Sequence, residues 1–315
     1  MKYLFGPVPS RRFGRSLGVD LTPYKTCCFD CVFCQLGRTT HKTVERRDYV
    51  PIDDVLSELD QWLAGGGRAD VITLSGSGEP TLHLRFGEVL DFIRKNTDSP
   101  AVVLTNGALL HLPEVRAAAC RADVVKTSLS AWDQHSFEWV NRPHDQLRFE
   151  QVLEGQKTFR TEFSGKLYLE VFAVGGMNAM ASNMGKIAAL AEEISPDRIQ
   201  LNTAVRPPAE DFVEAVSPER LAALCPLFRP PAEIIAEFDE KIDSKIQVNT
   251  EALLSMLRRR PCTSEQIARG FGMHANEVSK YLGNLLRAGR IRAIRKNGSV
   301  YYAMAAKKSA ARDSA

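Results

Sequence analysis

Apolar residues fall into short, nearly continuous runs, and stretches with helical spacing separate them. The runs cover residues 16–21, 70–74 (DVITL), 101–104 (AVVL), 123–129 (DVVKTSL), 167–174 (LYLEVFAV) and 198–201 (RIQL). Strands covered on both faces read this way, because neither face alternates with water. Between them, residues 52–63, 85–95, 113–120, 148–161 and 184–194 are plausible helices. Strand and helix in alternation predict a parallel sheet, because parallel neighbours need a crossover and antiparallel ones only a turn. The predicted class is α/β: a βα-repeat domain whose sheet is open or curled into a barrel.

The rhythm stops near Pro207 and Pro208. A region broken by Pro218, Pro226, Pro230 and Pro231 follows. A different pattern then begins near Lys245, with helices predicted over 251–260, 263–270 and 275–288. Thr263 is a candidate N-cap, and Gly270 and Gly289 are candidate stops. Residues 291–294 and 300–303 flank Lys296-Asn297-Gly298, an Asn-Gly hairpin signal. Three short helices and a hairpin outline a winged helix-turn-helix. The expected organisation is a βα-repeat domain over 1–210, a connecting region over 211–244, the winged module over 245–306 and a disordered tail over 307–315.

Composition adds boundaries. The chain has 315 residues, long enough for one large α/β domain plus a small module. Hydrophobic residues at 44% and charged residues at 25% are those of an ordinary globular protein. No apolar run approaches the roughly 20 residues needed to cross a bilayer, and the start resembles no signal peptide. A cytoplasmic, membrane-free protein is expected. A net charge of +3 is too mild to indicate a nucleic-acid partner.

Cysteine placement says more. Of seven cysteines, Cys27, Cys28, Cys31 and Cys34 share one loop, whereas Cys120, Cys225 and Cys262 are scattered. An odd number crowded into one loop points to metal and away from a disulfide framework. Cys27, Cys31 and Cys34 form C-x3-C-x2-C, and three thiolates so close can each bind one iron of a cubane. Such a cluster normally has four cysteine ligands. With no other cysteine for more than eighty residues downstream, one iron stays open to a substrate or cofactor. The alternative is structural zinc held by all four thiols. It is disfavoured because Cys27 and Cys28 are adjacent and zinc sites favour paired CxxC knuckles. Binding through Cys28 would give a different spacing, so Cys28 is read as a bystander.

This loop, with Phe33 just before the last cysteine, resembles the signature of the radical S-adenosylmethionine superfamily. The resemblance implies a partial (β/α)6 TIM-like barrel with the cysteine loop after its first strand. It also implies a [4Fe–4S] cluster on Cys27, Cys31 and Cys34, and S-adenosyl-L-methionine chelated to the open iron. In that family an electron from the reduced cluster enters the sulfonium. The resulting 5′-deoxyadenosyl radical abstracts hydrogen from a substrate.

Further motifs lie where strands end, the ligand-binding end of βα barrels. Gly76-Ser77-Gly78-Glu79-Pro80 resembles the family's G-G-E-P motif, with Ser77 replacing one glycine. The resemblance makes Glu79 a direct or nearby acceptor for the methionyl ammonium. Thr105-Asn106-Gly107 resembles the family's T-N-G turn. Ser128 and Ser130 end the fourth strand, where a polar residue commonly meets the ribose, and Asn202 ends the sixth. On this reading Phe33, Gly76, Ser77, Gly78, Glu79, Thr105, Asn106, Ser128, Ser130 and Asn202 are the cofactor-binding candidates. Glu170 is a charge in a strand that reads as buried, so it needs a partner.

The opening GPVPSRRFGRSLGVD, the NRPH at 141–144 and LNTAVRPPAE at 201–210 resemble a branch distantly related to wyosine-type tRNA-modifying proteins. Arg11, Arg12, Arg15, Arg142, His144 and Arg206 are read either as a gathered anionic-substrate site or as separate salt bridges. His41, His83, His111, His135 and His274 lack metal-ligand spacing and are read as surface residues.

Between residues 251 and 304 the C-terminal module carries ten basic residues (Arg258, Arg259, Arg260, Arg269, Lys280, Arg287, Arg290, Arg292, Arg295, Lys296) against Glu251, Glu265 and Glu277. Asn276, Lys280 and Asn284 mark its candidate recognition helix. Phosphate contact would use such a face, and so would protein docking. The expected function is a radical enzyme modifying an RNA or a peptide or protein, fed by a one-electron donor such as flavodoxin or ferredoxin. The rival is an iron–sulfur redox-sensing DNA-binding regulator, which needs neither the Gly-Glu-Pro turn nor a six-strand barrel.

Overall fold

Two prolines hide the first strand from a pattern-based reading. In a computed structural model, which describes residues 1–10, 12–235, 250–271, 275–296 and 298–305, β1 (Leu4–Ser10) contains Pro7 and Pro9. It lies at the sheet edge, antiparallel to β2 (Gly14–Val19). An edge strand needs hydrogen bonds on one side only, so proline is tolerated there. Arg11, His274, Asn297, residues 236–249 and the tail from 306 lie outside the described residues.

Two units divide the chain, Met1–Asp239 and Glu240–Ala315. In the first, β3 (Thr26–Cys27) and β4 (His41–Lys42) pair in parallel across the base of the cysteine loop. Then follow α1 (Ile52–Ala64), β5 (Val71–Leu74), α2 (Phe86–Asn96), β6 (Ala101–Leu104), α3 (Pro113–Ala119) and β7 (Val124–Ser128). The unit continues with α4 (Gln134–Val140), α5 (Phe149–Glu162), β8 (Lys166–Ala173), α6 (Ala181–Ile194) and β9 (Arg198–Thr203). It ends with α7 (Pro218–Leu224) and β10 (Glu233–Ile234). The sheet order is β1-β2-β5-β6-β7-β8-β9-β10, parallel from β2 onwards.

Alternation along each strand sorts side chains between helices and lumen. Leu17, Val19, Ile72, Leu74, Val103, Val125 and Leu169 are fully buried in one apolar core with the helices. On α2 the buried residues Phe86, Val89, Leu90 and Ile93 repeat at helical spacing and face that core. Each such side chain contributes roughly 1.5–3 kcal/mol by leaving water.

The sheet is curled. The turn between β1 and β2 reaches the far strands: Arg12 Nε donates to Gln200 Oε1 at 2.8 Å, and its Nη2 pairs with Glu170. Phe13 stacks on Tyr168 with ring centroids 5.9 Å apart. One edge of the sheet thus meets β8 and β9 near the other, as in a partial TIM-like barrel.

The second unit contains α8 (Thr250–Arg259), β11 (Cys262–Thr263), α9 (Ser264–Phe271), α10 (Ala275–Arg287), β12 (Ile291–Lys296) and β13 (Ser299–Met304). Its antiparallel sheet runs β11-β13-β12. Leu253, Leu257, Ile267, Phe271, Leu282, Leu285 and Ile291 are buried. Thr263 caps α9: its hydroxyl accepts from Gln266 N, and Gln266 Oε1 accepts from Thr263 N, both at 3.2 Å.

Candidate active site at the cysteine loop

Backbone contacts seat the cysteine loop from two sides. On one side Lys25 N donates to Ser77 O at 2.7 Å and Glu79 N donates to Thr26 O at 3.0 Å. Approach this close requires glycine: a Cβ on Gly78 would lie 1.9 Å from Thr26 O, and one on Gly76 (φ +147°) 2.4 Å from the Asp20 carboxylate. On the other side the NRPH segment clamps the loop. Asp30 N donates to Asn141 O at 3.1 Å, and His144 N donates to Cys28 O at 2.9 Å. The clustered motifs of the sequence are therefore two halves of one mount.

Each of the three candidate ligand sulfurs meets a nitrogen donor from a different segment. Lys25 Nζ lies 3.0 Å from Cys34 Sγ, Asn106 Nδ2 3.5 Å from Cys27 Sγ and Asn141 Nδ2 3.4 Å from Cys31 Sγ. Burial pushes the Cys27 thiol up to about 12, with Glu79 and Cys34 opposing its ionisation further. Cys31 is raised by burial and then by Cys27 and Cys34. Two thiols that resist ionising beside one another, Cys27 and Cys31, give up their protons readily only when a cation binds the sulfurs. Soft sulfur donors with N–H groups aimed at them suit an iron–sulfur cluster. Among the described residues no three His, Cys, Asp or Glu side chains are spaced to hold a single metal ion. Cys28 is fully buried in the apolar core, where burial raises its thiol strongly. That environment supports its reading as a bystander.

Glu79 ties two motifs together. Its buried Oε1 accepts from Thr105 Oγ1 (2.6 Å), Thr81 Oγ1 (2.7 Å) and Thr81 N (3.1 Å), and its Oε2 accepts from Asn106 N (2.8 Å). The carboxylate thus holds the Thr105-Asn106-Gly107 turn, with Gly107 at φ +80°. Ser77, where the family motif has glycine, donates its hydroxyl to Asp20 Oδ2 at 2.5 Å and its N–H to Asp20 Oδ1 at 3.0 Å. The added hydroxyl locks the turn to the end of β2.

The other candidates separate. Phe33 stacks on Phe172 (centroids 4.1 Å) beside Val140, Val174 and Met177, so it wedges the loop against β8. Ser130 is buried, its hydroxyl accepting from Phe172 N at 3.0 Å and its carbonyl from Asn178 Nδ2 at 2.8 Å. Ser128 and Asn202 instead join a network in the barrel. Lys126 Nζ lies 2.9 Å from Glu170 Oε2 and 3.3 Å from Ser128 Oγ, while Asn202 Nδ2 donates to Glu170 Oε1 at 2.9 Å. Burial and the Arg12 guanidinium draw the Lys126 ammonium below its ordinary range, and the Glu79 carboxylate and Cys31 oppose them. Glu170 thus has the partners its sequence context demanded.

One expectation needs correcting, and one of two alternatives is favoured. Of the two readings of the arginines, the described ones follow the separate pairs. Arg12 pairs with Glu170, Arg15 with Asp70 (3.1 Å), Arg142 with Glu210, and Arg206 donates to Gln35 Oε1 (2.9 Å). Partners from distant segments claim them separately, acids for Arg12, Arg15 and Arg142 and an amide for Arg206. His83 is not a surface residue but fully buried, with Nε2 2.9 Å from Val50 O and Nδ1 accepting from Arg85 N at 3.1 Å. Sequence reasoning missed Lys25, Lys126 and Asp20 altogether. Lys126, a charge inside an apolar run, carried the same signal that singled out Glu170.

Comparison with known proteins agrees with this geometry. The sequence model described as "Radical SAM superfamily" matches residues 21–179. A UPF0026 protein of Helicobacter pylori (strain 26695) is 32% identical over 309 residues, covering 95% of this chain and 96% of that one. A Brachyspira hyodysenteriae protein named "GTPase Obg" is 33% identical over 309 residues. The alignment covers 96% of this chain but only 45% of that protein. Among solved structures, TYW1 with a lysine–pyruvate adduct aligns at a TM-score of 0.51 and 18% identity, over 69% of this chain and 74% of that one. At that identity the likeness shows the fold. No helix among the described residues is long and apolar enough to cross a membrane.

Proposed function

We infer the function from one premise: the chain belongs to the radical SAM superfamily, and within it to the UPF0026 proteins. Its cofactors are those of that superfamily, a [4Fe–4S] cluster and S-adenosylmethionine. Cys27, Cys31 and Cys34 hold the cluster, and Cys28 takes no part. Once bound, the pair supplies a 5′-deoxyadenosyl radical, made by one-electron reductive cleavage of S-adenosylmethionine. A one-electron donor such as flavodoxin or ferredoxin delivers that electron.

The protein's own residues position and shield. Glu79, held by four hydrogen bonds, fixes the Gly-Ser-Gly turn and the Thr105-Asn106 turn relative to each other and is a direct or nearby acceptor for the methionyl ammonium. The glycines bring that backbone close enough to meet a small zwitterion. Ser128 and Asn202, joined to the Lys126–Glu170 network, present polar groups from the barrel strands, where the substrate's reacting carbon is held. Phe33 and the apolar residues around it keep water from the loop's flank.

The substrate is an RNA engaged through the C-terminal unit, read as a winged helix. Exposed Lys280, Arg287, Arg290, Arg292 and Arg295 give that unit a basic surface. The polar face of α10 (Ser279, Lys280, Gly283, Asn284, Arg287) lines a concavity. Phosphate contact through such residues makes binding fall steeply with salt.

The convergence of Cys27, Cys31 and Cys34 in one loop, with a different N–H donor for each, carries the reading. Anaerobic reconstitution with iron and sulfide, then dithionite and S-adenosylmethionine, tests it. The expected result is 5′-deoxyadenosine; its absence from iron-loaded protein contradicts the enzyme reading. Crosslinking in cells, with sequencing and mass spectrometry of the captured material, tests the substrate. Recovery of a peptide or protein in place of RNA overturns that part alone.

A further inference from the structure

The superfamily assignment leaves Lys25 without a task. It sits two residues before the first ligand cysteine and is only 3% exposed. Its backbone is left-handed, φ +59°, a conformation glycine adopts freely and a lysine rarely. Hydrogen bonds hold it there on both sides: its N–H donates to Ser77 O, and its carbonyl accepts from Thr40 N (3.2 Å) and His41 N (3.1 Å). Glycine would relieve the backbone, so what this position gains from lysine is the side chain.

That side chain runs to the cysteines. Nζ lies 3.0 Å from Cys34 Sγ, and its charge also acts on Cys27 and Cys31. The direct donors at Cys27 and Cys31 are neutral: the Asn106 and Asn141 amides at 3.5 and 3.4 Å, and for Cys27 also the Phe29 N–H. The Asn106 amide is shared, since it also faces the Cys28 thiol. The three sulfurs are thus unequally served, with one cation at Cys34.

Net charge and hydrogen bonds to the sulfurs set an iron–sulfur cluster's reduction potential. Reduction adds one negative charge, and a fixed cation in a buried, weakly screened site favours the state that carries it. We propose that Lys25 is the charge-compensating group of the cluster. Its ammonium offsets the Cys34 thiolate and holds the reduction potential within reach of the external one-electron donor, while Asn106 and Asn141 act as weaker neutral donors. No bond forms or breaks in this role; the donor is oxidised by the one electron that the cluster gains. The proposal rests on the reading of Cys27, Cys31 and Cys34 as ligands.

The test uses the full chain, reconstituted anaerobically without S-adenosylmethionine. Iron is counted, and the midpoint potential is read by an EPR-monitored redox titration. Lys25→Arg keeps a charge, Lys25→Gln keeps an N–H without one, and Lys25→Met keeps neither. The Arg variant is expected to titrate near the native protein. The Gln and Met variants should move to more negative potentials, Met furthest. For Met the expected loss is at least about tenfold in electron affinity, about 59 mV for a one-electron couple. Met and Arg variants that titrate together at full iron content overturn the proposal.

Should the Met variant hold too little cluster to titrate, Lys25→Gly decides, because glycine fits this backbone. Full iron in the Arg variant with little in both Met and Gly supports compensation by charge. Equal loss in all three, Arg included, shows a packing role and overturns it. Native protein that takes up no iron would instead bring down the reading of the cysteines, so the two failures are distinguishable.

Discussion

The two units of this chain handle charge in opposite ways. Within the barrel unit, Arg12, Lys126 and Glu170 are largely shielded from water and bonded to one another and to Gln200, Asn202 and Ser128. In the C-terminal unit, Lys280, Arg287, Arg290, Arg292 and Arg295 are exposed, and only Glu251, Glu265 and Glu277 oppose the ten basic residues between 251 and 304. A buried charge must be matched where it stands, because leaving it unpaired costs several kcal/mol. An exposed one costs little and remains available to a partner. The difference fits the proposal that radical chemistry belongs to the first unit and macromolecular recognition to the second.

The widest contrast is expected within one loop. Replacing Cys27, Cys31 or Cys34 by alanine should abolish the intact cluster, read as iron content and visible absorbance after anaerobic reconstitution. Cys28→Ala should keep both. Loss of iron in the Cys28 variant alone would reverse the ligand assignment. A second large effect should split the two units: deleting the chain from about Lys245 should leave 5′-deoxyadenosine formation intact and remove RNA retention. Cleavage lost in a folded truncation would show that the units are not independent in function.

Next in size is the cost of a buried partner. Glu170→Ala strands Arg12 and Lys126 in the barrel, and urea unfolding should show a loss of about 3–5 kcal/mol. Arg292→Ala, at an exposed site, should stay within about 0.5 kcal/mol. Comparable losses from both would erase the contrast between the units. The smallest effect concerns His83, whose imidazole burial holds below its ordinary 6.5. As pH falls below about 6.5, the unfolded chain takes up a proton that the folded protein refuses, so stability should decline in that window. His83→Gln should flatten the decline; an unchanged pH profile would mean that other groups govern it.

Much of the barrel was legible because its strands are short apolar runs with helices between them. Residues 101–104 match β6, and residues 70–74 and 123–129 exceed β5 and β7 by one residue at one or both ends. β1 was not legible, since Pro7 and Pro9 suppress a strand signal that only an edge position restores. α4 is seven residues long and rests on a capping box between Asp133 and Ser136, too local a signal to stand out. The C-x3-C-x2-C loop and both strand-end turns could be located from spacing. Their partners could not: Asn141 reaches Cys31 across 110 positions and Arg12 reaches Glu170 across 158. The same blindness left the arginines open between one site and separate pairs, because their partners lie far off in sequence. His83 looked superficial because its covering backbone, Val50, comes from 33 residues away.

The proposed centre is a cluster held by three sulfurs, with one iron left to bind S-adenosylmethionine. Mössbauer spectra of the iron-57-reconstituted full chain, recorded with and without S-adenosylmethionine, test this most directly. One iron in four should change its signal when the cofactor is added. Four irons that ignore the cofactor, or a purified protein rich in zinc and free of iron, would contradict it.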